Sequence, residues 1–106
     1  MTKEALGDCY RWAYQYVIKN PTAVLHQGLV TAPHSSDKPF EHAWIEHNGV
    51  IKDWQTMVAG YGGKFRNKGY PKRTWDLLWK PENVKTFTVD EARAESLRYG
   101  HYGPWT

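Results

Sequence analysis

The chain has a single cysteine, Cys9, in its 106 residues. One cysteine excludes an intrachain disulfide framework. It fits a reducing compartment, or a thiol kept for its reactivity. No stretch approaches the apolar length that a membrane span needs, and the opening MTKEALGDCYRW has no apolar core of signal-peptide length. The expectation is a soluble, cytoplasmic protein. Charge of one sign is also scarce: 14 Lys and Arg against 11 Asp and Glu leave a net +3 and a pI near 9.0, with no dense basic run. Nucleic-acid or anionic-surface binding is therefore permitted but not indicated. Internal repeats, low-complexity segments and a dividing linker are missing, so one domain over residues 1–106 is expected. The glycines after residue 59 do not make a phosphate-binding G-x-x-x-x-G-K-[ST] loop. His26, His34, His42, His47 and His101 fit neither a zinc-finger spacing nor H-E-x-x-H, so no metal and no cofactor are expected.

Large apolar side chains are abundant. Six Trp and seven Tyr within a 41% hydrophobic composition argue for a folded core. The centre of the chain, EHAWIEHNGVIKDW over residues 41–54, reads as a β-hairpin turning at Asn48-Gly49. A two-residue turn there pairs His47 with Val50, Ile45 with Lys52 and Trp44 with Asp53, and puts His42 opposite Gln55. His42 and Asp53 then share a face as diagonal neighbours, within side-chain reach. Trp44 and Ile51 share that face, while Ile45, Val50 and Trp54 take the other, so a sheet covered on both sides, partly by helices, is expected.

Upstream, residues 2–19 read as a helix ended by Asn20-Pro21, with Leu6, Cys9, Ala13, Tyr16 and Val17 at helical spacing. Gly7 interrupts that spacing and offers a second start, with Asp8 as N-cap. A helix beginning there puts Cys9 in the first turn, where the dipole and unpaired amides favour a thiolate. The plainer alternative is that Cys9 is a small buried hydrophobe. Residues 23–30 read as a strand, with Gly28 marking a bulge or close approach and His26 and Gln27 on opposite faces. A polar loop over residues 31–39 carries His34. Residues 55–70 read as a basic loop, and 75–79 as a short helix or buried turn. Residues 84–88 form a further strand, and Thr88 with Glu91 has capping-box spacing for a helix over 89–99 stopped by Gly100. The aromatics of the tail, among them Trp105, are expected to pack back on the body.

Thiol, imidazole and carboxylate appear in the order Cys9, His42, Asp53, on a helix and two neighbouring strands. In that order GDCYRWAYQY, EHAWIE and GVIKD resemble the papain-like cysteine-hydrolase superfamily, and most closely its transglutaminase-like branch. The resemblance covers roughly residues 7–54. It implies an α+β fold with a papain-like core, in which an N-terminal helix carrying the cysteine packs on a small antiparallel sheet. It also implies Cys9 as nucleophile, His42 as general base and acid, and Asp53 as the residue orienting His42. The backbone N–H of Cys9 would serve as one oxyanion donor. Gln27, Gln55 or a tryptophan N–H such as that of Trp44 would supply a second or contact the substrate. Peptidase, amidase, deamidase and transglutaminase-type activities share such a site. The partner would then be a peptide, a protein or a small amide or ester.

Two other classes compete. Cys9 and the histidines would form a metal site only with spacings this chain lacks. A small non-catalytic binding protein of mobile-element type would use the aromatics and the basic segment at 64–73 to engage a protein or a nucleic acid.

Overall fold

The computed structural model describes residues 3–33, 38–58, 63–66 and 68–105, with side chains from Asp8 onward. His34 and the glycines at 60 and 62 lie outside the described residues. The protein is α+β. Helix α1 spans Lys3–Lys19 and is followed by strands β1 (Val24–Val30), β2 (Phe40–His47) and β3 (Val50–Lys52). A single-turn helix α2 (Trp54–Met57) and a 3-10 turn (Gly63–Phe65) lead to β4 (Tyr70–Pro71). Helix α3 (Lys72–Trp79), strand β5 (Glu82–Phe87) and helix α4 (Val89–Tyr99) complete the order. Among the described residues the strands form one antiparallel sheet in the order β4-β3-β2-β1-β5.

The hairpin at the centre follows from its turn. Asn48 and Gly49 both take positive φ, 55° and 77°, as a type I′ turn requires, and the ladder pairs His47 with Val50 and Ile45 with Lys52. Beyond Lys52 the expected register fails. Trp44 does not pair with Asp53, and Gln55 is not opposite His42, because Asp53 leaves the strand and caps α2. Its carboxylate accepts from the Thr56 backbone N–H at 3.0 Å, satisfying a donor that a strand could not.

Each sheet face is covered by its own cluster. Tyr10, Ala13 and Val17 of α1 pack with Leu25, Ala43, Ile45, Ala92 and Trp105. On the other face Trp75 and Trp79 of α3 pack with Val30, Trp44, Ile51 and Tyr70. The alternation read from the sequence places Ile45 and Trp44 on these opposite faces. Gly28 sits at a register irregularity, where a Cβ would come within 3.0 Å of the Glu82 carbonyl oxygen and the Val84 Cα. The helix at the C-terminal end keeps its expected bounds. Thr88 and Glu91 form the full capping box, and Gly100 closes the helix in the left-handed region.

The described residues of the 55–70 segment include ones that pack on the body rather than lying in solvent. Phe65 packs on Tyr70 at 4.5 Å, and Tyr70 pairs with Ile51 at the sheet edge. Gly69 makes that junction possible. Its φ is +82°, and a Cβ would meet the Val50 Cγ1 at 2.6 Å and the Ile51 carbonyl oxygen at 2.7 Å. Gly69→Ala is therefore expected to lower stability by about 2–4 kcal/mol, read as the urea midpoint. Among the described residues no helix is long and apolar enough to cross a membrane.

Candidate functional site

His42 and Asp53 are brought together. The imidazole Nε2 lies 2.7 Å from Asp53 Oδ2, and neither side chain has measurable exposure. β2 supplies the histidine and the cap of α2 supplies the acid. One carboxylate oxygen therefore holds His42 while the other holds the Thr56 N–H. An ionised carboxylate only accepts, so the Nε2 of His42 carries the hydrogen and Nδ1 is left as the acceptor in the neutral ring. Among the described residues that Nδ1 is buried and has no hydrogen-bond partner. A buried nitrogen without a partner is costly, and this one is the atom a general base would use.

Cys9 is also fully buried. It is the seventh residue of α1, which starts at Lys3 and runs straight through Gly7. This corrects two expectations. Asp8 is not an N-cap, because one glycine costs a helix only about 1 kcal/mol and burial of the face bearing Ala13 and Val17 outweighs it. Cys9 is then outside the first turn, so its N–H lies in the helix interior and is not a free oxyanion donor. The thiol is accordingly not primed as a thiolate. Burial, then the carboxylates of Asp53 and Asp8, push its pKa up to about 12, with its own backbone N–H opposing them slightly. Cys9 thus lies in the electrostatic field of Asp53, and α1 packs against α2, the helix that Asp53 caps. No hydrogen bond joins the thiol to the vacant Nδ1.

That shift fixes how stability depends on pH. The unfolded thiol loses its proton at about 8.5, whereas the native thiol keeps it to about 12. Between those values the unfolded chain binds fewer protons, so stability falls as pH rises. Cys9→Ala is expected to remove this component. Urea unfolding from neutral to alkaline pH should give a shallower decline in the variant than in the wild type.

The other candidates have different tasks. Gln27 is buried, donates through Nε2 to the Tyr102 carbonyl at 3.1 Å, and accepts at Oε1 from the Trp105 N–H at 3.2 Å. It latches the tail, whose Trp105 packs edge-on against Phe87 and Tyr14, and this engagement leaves it poorly placed as an oxyanion donor. Trp44 is core, stacked on His42 at 6.1 Å and on His26 at 5.8 Å. Gln55 is half-buried in α2. His26 sits between Thr86 Oγ1 at 3.0 Å and Glu46 Oε1 at 3.5 Å, and its pKa is lowered, first by burial. Among the described residues no group of three His, Cys, Asp or Glu side chains could hold a metal ion.

Two partners of the site were missed from the sequence. Thr56 holds the second oxygen of Asp53, and Asp53-x-x-Thr56 has the spacing of a cap with its third helical residue. Trp79 lies nearly parallel to His42 at 5.8 Å, a contact across 37 positions that no local pattern announces. Comparison with known proteins finds no matching family model, no matching curated protein and no matching solved structure.

Proposed function

We propose that the protein is a cysteine-dependent acyl-transfer enzyme of papain-like, transglutaminase-like character, acting on an amide or ester through Cys9, His42 and Asp53. The observation that carries this is the buried imidazole with one nitrogen fixed by a carboxylate and the other without a hydrogen-bond partner among the described residues. A histidine buried for packing alone gains nothing from an unpaired Nδ1. A general base needs that lone pair, and it needs an acid behind it to hold the tautomer.

The raised thiol pKa sets the order of events. With burial first, and then Asp53 and Asp8, disfavouring a thiolate, Cys9 rests as a neutral thiol. Once the thiol reaches Nδ1, its proton passes to His42 as sulfur attacks the carbonyl carbon, so no free thiolate accumulates. The leaving amine or alcohol takes that proton, and a thioester remains on Cys9. Water or an amine then releases the acyl group.

The binding-module alternative calls for aromatics free to stack on bases. Tyr70 and Trp75, in and beside the basic segment, are buried in the second cluster, which removes the stacking surface they would have offered.

Incubation with p-nitrophenyl acetate, followed by intact-mass and peptide analysis, tests the proposal. The expected result is one acetyl adduct on Cys9 that discharges with time and is missing from Cys9→Ala. Acetylation confined to lysines, equal in both proteins, would overturn it.

A further inference from the structure

The imidazole of His42 is enclosed by rings from two elements far apart in the chain. Trp79 of α3 lies 5.8 Å away, centroid to centroid, with the planes only 5° apart. Trp44 stacks at 6.1 Å and 24°, and Trp75 at 6.3 Å and 20°. Phe40 approaches edge-on at 5.7 Å. Trp75 and Trp79 stack on one another at 4.8 Å, which ties the orientation of one indole to the other.

An indole face carries negative potential and attracts a cation within about 6 Å of its centre, more strongly in a dry site than in water. The Asp53 carboxylate at 2.7 Å acts in the same direction. The ring faces and the acid thus favour the same state of His42, the imidazolium. Charged groups on the neighbouring elements are engaged with one another. His26 and Glu46 lie together beyond Trp44, and Lys72 and Asp76 of α3 form their own ion pair at 3.0 Å. Cys9 of α1, in the field of Asp53, holds its proton.

We propose that Trp79, supported by Trp75 and Trp44, is a positioning residue that stabilises the imidazolium of His42 by stacking its indole face on the ring. The need for an imidazolium rests on the acyl-transfer function, in which His42 holds the proton taken from Cys9. In that step the S–H bond breaks, an Nδ1–H bond forms, and the sulfur electron pair goes into the new bond to the carbonyl carbon. A site that disfavours the thiolate gains most from a partner that favours the imidazolium.

The test reads the ring itself. The His42 resonances of histidine-labelled protein are followed from about pH 4 to about pH 10 in wild type, Trp79→Phe and Trp79→Leu. The midpoint is expected to move to lower pH in the order Trp, Phe, Leu, by about one unit for Leu. The midpoint of His47, held by Tyr16 and Thr22, should stay in place. Protein made with trifluorotryptophan weakens every indole face at nearly constant shape and should show the same downward shift, even if Trp79→Leu does not fold. An unmoved or raised midpoint in the foldable variants would overturn the proposal, as would a wild-type ring that stays neutral down to about pH 4. A midpoint that moves in a protein whose Cys9 never acylates keeps the stacking inference and removes the enzyme. An unmoved midpoint in a protein that does acylate has the opposite meaning.

Discussion

Asp53→Asn is expected to leave the protein folded and to slow acylation of Cys9 by about 10²–10⁴-fold. The substituted carboxamide can still sit between the His42 ring and the Thr56 N–H. If its carbonyl oxygen caps α2, the amide NH₂ faces Nε2 and donates to it. That forces the hydrogen onto Nδ1, the nitrogen the thiol proton needs. The loss is one of tautomer rather than of structure, so it should appear in the acylation rate while circular dichroism stays native. Asp53→Ala should differ in kind. It removes both the partner of a buried histidine and the cap of α2, with an expected loss of about 3–5 kcal/mol in urea unfolding. About 1 kcal/mol of that belongs to the cap. Equal rates in wild type and Asp53→Asn would mean that the pair is structural.

Trp75→Ala is expected to be the most damaging single change in the second core, costing about 3–5 kcal/mol. Trp75 is fully buried and touches His42, Trp44, Tyr70 and Trp79 together. An alanine there leaves a cavity that α3 cannot close without breaking the other stacks. Leu77, two residues along the same helix and 71% exposed, supplies the contrast. Leu77→Ala should change stability by no more than about 0.5 kcal/mol. Urea unfolding of both variants measures the gap. Similar losses at the two positions would mean that α3 does not pack as described.

The features legible in the sequence are those set by neighbours in the chain. Asn48-Gly49 specifies the turn and its first pairs. Thr88 and Glu91 announce the start of α4, and Gly28 marks its bulge. The closeness of His42 and Asp53 is also legible, although by the wrong route. They meet because Asp53 turns out of the strand into a helix cap, not because the ladder continues. The start of α1 is misread where local and tertiary preferences compete. Gly7 weakens a helix by a small amount, and the buried face beyond it outweighs that amount. A helix start would give Cys9 a low thiol pKa. It is high because Cys9 is buried and near two carboxylates. The stacking of Trp75 and Trp79 on His42 and the latch of Gln27 on the tail join residues tens of positions apart. Nothing at short range encodes such contacts.

The most direct test of the proposed site is the pH profile of Cys9 acylation by p-nitrophenyl acetate in wild type and in His42→Ala, each checked for native fold. If His42 is the base, the wild-type rate climbs across the pH interval in which the His42 ring itself loses its proton, as its own resonances record it. His42→Ala then lacks that limb and reacts only as the medium becomes alkaline enough to ionise the thiol. Superimposable profiles in the two proteins would contradict the proposal and leave Cys9 as a buried core residue.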